Sequence, residues 1–216
     1  MKMKRIGAAA SALLLMLCTL TGCGSGSQAE NITEEQMPYG STVTEDSSRE
    51  FTMSYDKRFL EDALVDKIAG YYRAIQERDG EAFNALMFPL YHQYQMKTVY
   101  NNSVTDQQII DTTYDAIREY FGFEGDFEYS LIDITDLVNM QGVSDNRDLM
   151  TMMLEQIAEE AGEPSVTENT QALYEMTVTR YVEEKGKNTK SFTDYAMQDE
   201  TLYAIKYQDQ WYLMYS

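Results

Sequence analysis

Few residues in this chain carry side chains fit for covalent or metal chemistry. There is one histidine, His92, and there are two cysteines, Cys18 and Cys23. A histidine base would have to be His92, yet its sequence neighbours Tyr91, Gln93 and Tyr94 include no acid to orient the ring. The expectation is an incidental surface or half-buried residue. The patterns G-x-S-x-G, H-E-x-x-H, the P-loop and C-x-x-C do not occur, so serine hydrolase, zincin, nucleotide-binding and thiol-redox readings lack support. Asp133, Asp136, Asp145 and Asp148 are near one another but not in the order of a calcium loop. Met150, Met152 and Met153 bear thioethers that suit Cu(I). A methionine-bearing core face explains Met150, Met153, Leu154 and Ile157 more simply, because they fall at helical spacing. No cofactor and no metal is expected.

Cys23 has the more telling setting. Met1-Lys2-Met3-Lys4-Arg5 holds three positive side chains and no acid, and Ile6 to Leu20 is apolar or small throughout. That run suits a signal-peptide core and is short of the about 20 residues that span a bilayer. It ends in Leu20-Thr21-Gly22-Cys23. This order resembles the bacterial lipoprotein signal, with its positive start, its apolar run and its lipobox. The resemblance implies that the Cys23 thiol receives a diacylglycerol, with palmitate-like chains. It also implies cleavage between Gly22 and Cys23 and an extracytoplasmic, membrane-anchored product. Two acyl chains hold where one does not, at about 0.8 kcal/mol per buried methylene.

Removal of residues 1–22 takes away Cys18 and three of the 17 bases, leaving 36 acids against 14 bases, a net charge of −22. One acylated cysteine leaves no disulfide, so the domain must be stabilised by its core. The acidity argues against nucleic acid and against adhesion to anionic lipid.

The elements that would position any site follow in order. Residues 23–50 are small, polar and acidic, as in a flexible tether. Leu60, Leu64, Ile68, Tyr71, Tyr72 and Ile75 predict a helix from about Asp56 to Arg78. Asp79 can cap a short second helix that Pro89 stops, and Leu90 to Tyr100 reads as helical. Thr105-Asp106-Gln107-Gln108 is a capping-box pattern for the next helix, which Gly122 ends. Phe127, Tyr129 and Leu131 then alternate as a strand to about Val138. Ser144 can cap a helix from Asp145 to Ala161. In the strand that follows, Ala172, Tyr174, Met176, Val178 and Val182 form one face, and Glu175, Thr177 and Thr179 the other. Phe192 to Met197 is a poorly alternating strand. Thr201–Tyr207 and Trp211–Tyr215 close the chain as a hairpin turning at Gln208-Asp209-Gln210.

Helices followed by strands predict an α+β domain over 51–216, its N-terminal helices packed on a curved, mainly antiparallel C-terminal sheet. The long helix, the break at Ala74-Ile75-Gln76-Glu77-Arg78-Asp79-Gly80 and the final Trp211-Tyr212-Leu213 resemble the nuclear transport factor 2-like (cystatin-like) superfamily. The helix at 145–161 departs from its simplest version. The resemblance implies a conical pocket between helices and sheet, used for ligands, catalysis or dimerisation. It also implies an enzymatic alternative, since the SnoaL-like and ketosteroid-isomerase-like enzymes work with a pocket Asp or His and a Tyr. A desolvated Asp or His facing a Tyr in a pocket would mark the enzyme. A filled cone with an exposed aromatic patch would mark a binder. A receptor for a transporter is a third reading, disfavoured by the short chain.

The compositional excess is aromatic, with 17 tyrosines and one tryptophan. Tyrosine buries area while its hydroxyl tolerates water, which suits contact surfaces. Both faces of the terminal hairpin are apolar, and Tyr203, Tyr207, Trp211, Tyr212 and Tyr215 form the candidate interaction surface. Its outer face would meet a protein partner or a second copy, or else lie under helix 145–161. The expected function is that of a ligand- or protein-binding accessory module of the cell envelope.

Overall fold

The computed structural model describes residues 33–140, 145–186 and 196–215. The anchor, Leu20 to Cys23, lies outside them, as do Ser144 and most of the Phe192–Met197 strand. One compact unit runs from Glu34 to Ser216. Its described residues form five α-helices and a six-stranded mixed sheet: β1 Thr44–Asp46, β2 Thr52–Tyr55, α1 Asp62–Glu77, α2 Gly80–Leu86, α3 Pro89–Thr98, α4 Asp106–Phe121, β3 Phe127–Asn139, α5 Asp145–Ala161, β4 Thr170–Glu184, β5 Glu200–Tyr207 and β6 Gln210–Tyr215. None of the described helices is long and apolar enough to cross a membrane.

The folded body begins before residue 51. Residues 34–50, read as part of a flexible tether, include β1, which pairs antiparallel with β2. Asp56 holds this segment down. Its carboxylate, fully buried, accepts from Gly40 N (3.1 Å), Thr42 Oγ1 (3.3 Å) and the Arg58 guanidinium (2.5 Å). Arg58 also donates to the carbonyls of Glu34, Met37 and Pro38. Asp56 therefore lies outside α1, which starts six residues later, and the intervening turn leaves β2 free to pair parallel with β3.

Local chemistry sets the helix ends. Arg78 caps α1 in the left-handed region at φ 57°, its N–H on the Ala74 and Ile75 carbonyls. Asp79 caps α2 by accepting from Ala82 N at 2.9 Å. Pro89 opens α3, where its fixed φ and missing N–H cost nothing. Thr105 and Gln108 close the reciprocal capping box of α4, and Gly122 ends that helix at φ 67°. Gly80 is required for a different reason. A Cβ there would stand 2.7 Å from the Gln107 backbone nitrogen, so only glycine lets α2 meet the start of α4.

The strand order is β1-β2-β3-β4-β5-β6, antiparallel except for β2 on β3. Each sheet face carries its own core. Helices α1, α2 and α4 bury Leu64, Ile68, Tyr72, Phe83 and Ile110 against Ile132, Met176, Val178, Leu202 and Leu213. On the other face, α5 (Met150, Leu154, Ile157, Ala158) and Phe88 and Tyr91 cover Leu173, Ile205 and Met214. The apolar outer face of the hairpin is thus covered within the chain, by α5 and by the segment that opens α3.

Candidate functional site

A cavity of about 320 Å³ lies between the helices and the C-terminal strands, walled by Tyr71, Phe83, Tyr100, Glu200, Thr201 and Tyr215 with apolar side chains of α1 and α4. A larger groove of about 570 Å³, between Glu50, Arg78, Asp126 and Lys185, is lined by charged side chains together with the buried rings of Tyr114, Phe127 and Tyr129. The smaller cavity is the candidate because buried polar groups converge on its wall.

Glu200 is the centre of that wall. Tyr72, wholly buried on α1, donates its hydroxyl hydrogen to Glu200 Oε1. Arg180, reaching from β4, places Nη1 2.9 Å from Glu200 Oε2 and donates from Nη2 to the Gln198 carbonyl at 3.2 Å. The arginine and glutamate side chains are 12% and 23% exposed, so the pair is largely shielded from water. Burial pushes the Glu200 carboxyl above the usual carboxylate range, against the opposing pull of Arg180 and Tyr72. Burial beside Glu200 likewise drives the Tyr71 and Tyr72 hydroxyls well up, so both stay protonated donors.

The rings form one connected group. Tyr71 meets Tyr72 edge-on at 5.0 Å and Phe83 at 5.9 Å, and Phe83 meets Tyr215 at 5.6 Å. Tyr129 contacts Tyr72 at 5.3 Å on the far side. Among the described residues, the buried side-chain atoms that lack a hydrogen-bond partner are His92 Nδ1, Tyr129 Oη, Arg180 Nε and Tyr215 Oη. Tyr100 stands close enough to Tyr215 to raise its hydroxyl further, but outside hydrogen-bonding geometry. Buried polar groups are nearly always partnered, and of these four residues Tyr215 lines the cavity itself.

His92 differs from its sequence expectation. It is 6% exposed, and Nε2 lies 2.8 Å from Asp106 Oδ1 at the start of α4, with the ring 6.2 Å from that of Tyr215. The acid that orients it is fourteen positions away and invisible to a search of adjacent residues.

The five aromatic residues of the hairpin do not share a face. Trp211 is buried against the helices of the first core, where its indole N–H donates to Glu61 Oε2 at 3.1 Å, and Tyr215 joins it on that side. Tyr203, Tyr207 and Tyr212 are half-buried on the second face with α5. The two-residue turn at Gln208 and Asp209, both at positive φ, pairs Tyr207 with Gln210 and so sets Trp211 opposite Lys206.

Sequence reading missed Glu200, Arg180 and Tyr72 as a unit. One signal was present: the apolar face Ala172–Val182 is interrupted at position 180 by an arginine that points inward. No group of three or more metal-ligating side chains occurs among the described residues, and the side chains of Asp145 and Asp148 lie outside them. Compared with protein-family models, curated proteins and solved structures, the chain matches none.

Proposed function

We propose that this protein is a lipid-anchored module of the bacterial cell envelope that binds a small ligand in the cavity beside Glu200. The cavity carries the reading: its volume of about 320 Å³ is at the lower end of ligand sites, and its wall combines aromatic and aliphatic side chains with Thr113, Thr201 and a Glu200 held by Tyr72 and Arg180. The Leu20-Thr21-Gly22-Cys23 pattern supports anchoring. The long first helix, the break at Asp79 and the helices over a mainly antiparallel sheet support a nuclear transport factor 2-like fold. The covered outer face of β5 and β6 leaves a protein partner there with less to bind.

The test is native mass spectrometry of the chain extracted from its own membranes, beside a Thr201→Trp variant. A small-molecule adduct in the wild type that the variant lacks is the expected result. Identical spectra from two equally stable proteins would remove the proposal.

A second reading is favoured by one observation. Glu200, its carboxyl raised by burial, accepts from Tyr72, which resembles the acid–tyrosine pairing of the SnoaL-like enzymes although the acid is neither Asp nor His. Both carboxylate oxygens are engaged, by Tyr72 and by Arg180, which suits holding better than proton transfer. Glu200→Gln tests this second reading: an enzyme loses turnover of a substrate that the wild type converts, while a binder has no turnover to lose.

A further inference from the structure

The geometry points to a small organic cation, an ammonium head with short alkyl substituents, as the class of ligand that this cavity takes. The inference rests on the binding reading above and adds the ligand's charge.

Three observations carry it. First, the described side chains that face the cavity include one carboxylate and no base, although Arg180 pairs with that carboxylate from behind. Glu200 is the sole charged side chain among the described residues that line the cavity, and no lysine or arginine is among them. Arg180 engages Glu200 without itself lining the cavity, and Asp106, paired with His92 behind Tyr215, adds a further acid nearby. Second, the wall is aromatic. Tyr71, Phe83 and Tyr215 follow one another in ring contact at 5.9 and 5.6 Å, and Tyr100 stands beside Tyr215. Aromatic faces carry negative quadrupole density, which attracts a cation and opposes an anion, most strongly where water is excluded. Third, the chain is strongly acidic, at a formal net charge of −19, so its long-range field concentrates cations at the surface.

The alternatives fit less well. An anion would meet Glu200 and ring faces with no basic side chain on the wall to receive it. A neutral apolar molecule would desolvate Glu200, Thr113 and Thr201 without returning an interaction. An ammonium head loses little water when its substituents are methyl groups, gains the ring faces, and needs no hydrogen bond from a carboxylate whose oxygens Tyr72 and Arg180 already engage.

Isothermal titration of the full chain, in a neutral detergent, tests this with choline and its uncharged isostere 3,3-dimethylbutan-1-ol. Choline is expected to bind at least tenfold more tightly, and the preference to shrink as salt is raised. Tyr215→Leu is expected to weaken choline at least fivefold and leave the alcohol unchanged, with Tyr215→Phe close to wild type because the ring remains. Equal affinities for the two would overturn the cation class and leave the cavity reading standing. Binding of neither, with a Thr201-dependent adduct still seen by mass spectrometry, would do the same. Loss of that adduct as well would overturn both.

Discussion

Tyr72 on α1 donates its hydroxyl hydrogen to Glu200 at the start of β5, 128 positions along the chain. That bond ties the helix layer to the strands at the wall of the cavity, and its acceptor is a carboxyl raised by burial. The pH dependence follows from the sign of that shift. Above its unfolded value, ordinarily 4.5, Glu200 in the folded chain still holds a proton that the unfolded chain has lost. The contribution of Glu200 therefore falls as pH rises from that value through its folded pKa, and is constant on either side of that window. Glu200→Gln should abolish this part of the decline, measured as the difference between wild-type and variant urea-unfolding free energies at pH 4.5 and above. Parallel curves would show that Glu200 titrates as it does in the unfolded chain.

Asp56 behaves in the opposite sense. The Arg58 guanidinium, with help from backbone N–H groups, holds its carboxyl down from 3.8 to about 2 despite complete burial. Its contribution is fully present above the unfolded value and is lost as pH falls from there through the folded pKa. Asp56→Asn should cost about 2 kcal/mol at neutral pH and free residues 34–50 to digestion by protease. Unchanged cleavage in the variant would mean that other contacts hold the segment.

How much of this could be read from residues alone depended on how local the cause was. The capping box of α4, the Asp79 cap, Pro89 and the end of α5 at Gly162 are each set by a few adjacent side chains, and those were legible. The strand β2 was not, because Phe51, Met53 and Tyr55 alternate over too few positions, at the end of a polar stretch, to outweigh it. The hairpin register turned on a two-residue turn without glycine, which decides whether Trp211 faces with Lys206 or with Tyr207. The site was the least legible part. Tyr72, Arg180 and Glu200 come from three elements, and only the fold brings them together. The inward Arg180 was the one local sign that a buried charge needed a partner.

His92 has a structural partner that its neighbours in sequence did not reveal. Its ring packs at 6.0 Å from Phe83 and holds Asp106, which also accepts from Asn84 Nδ2 at 2.7 Å. His92→Ala should lower the urea-unfolding free energy by about 2 kcal/mol, through the cavity left and the bond lost. A change within about 0.5 kcal/mol, the range of ordinary surface substitutions, would mean that the ring carries no such role.

Cys23→Ala should stop acylation and move the protein out of the membrane fraction. Fractionation of wild type and variant, with intact mass to show whether residues 1–22 are removed, checks this. Equal membrane retention at full-length mass would contradict the anchor.

The central claim is that the space beside Glu200 admits a small molecule and excludes a large one, and thiol chemistry at its wall tests this most directly. With Cys23 acylated, Thr201→Cys adds a single free thiol in the cavity wall, and Val99→Cys, at a position 63% exposed, serves as the open control. The thiol at 201 should react readily with methyl methanethiosulfonate and at least tenfold more slowly with a bulky aromatic methanethiosulfonate, while the thiol at 99 takes both at similar rates. A thiol at 201 that reacts with neither reagent would show a filled core, and one that reacts equally with both would show an open surface. Either result would contradict the ligand cavity.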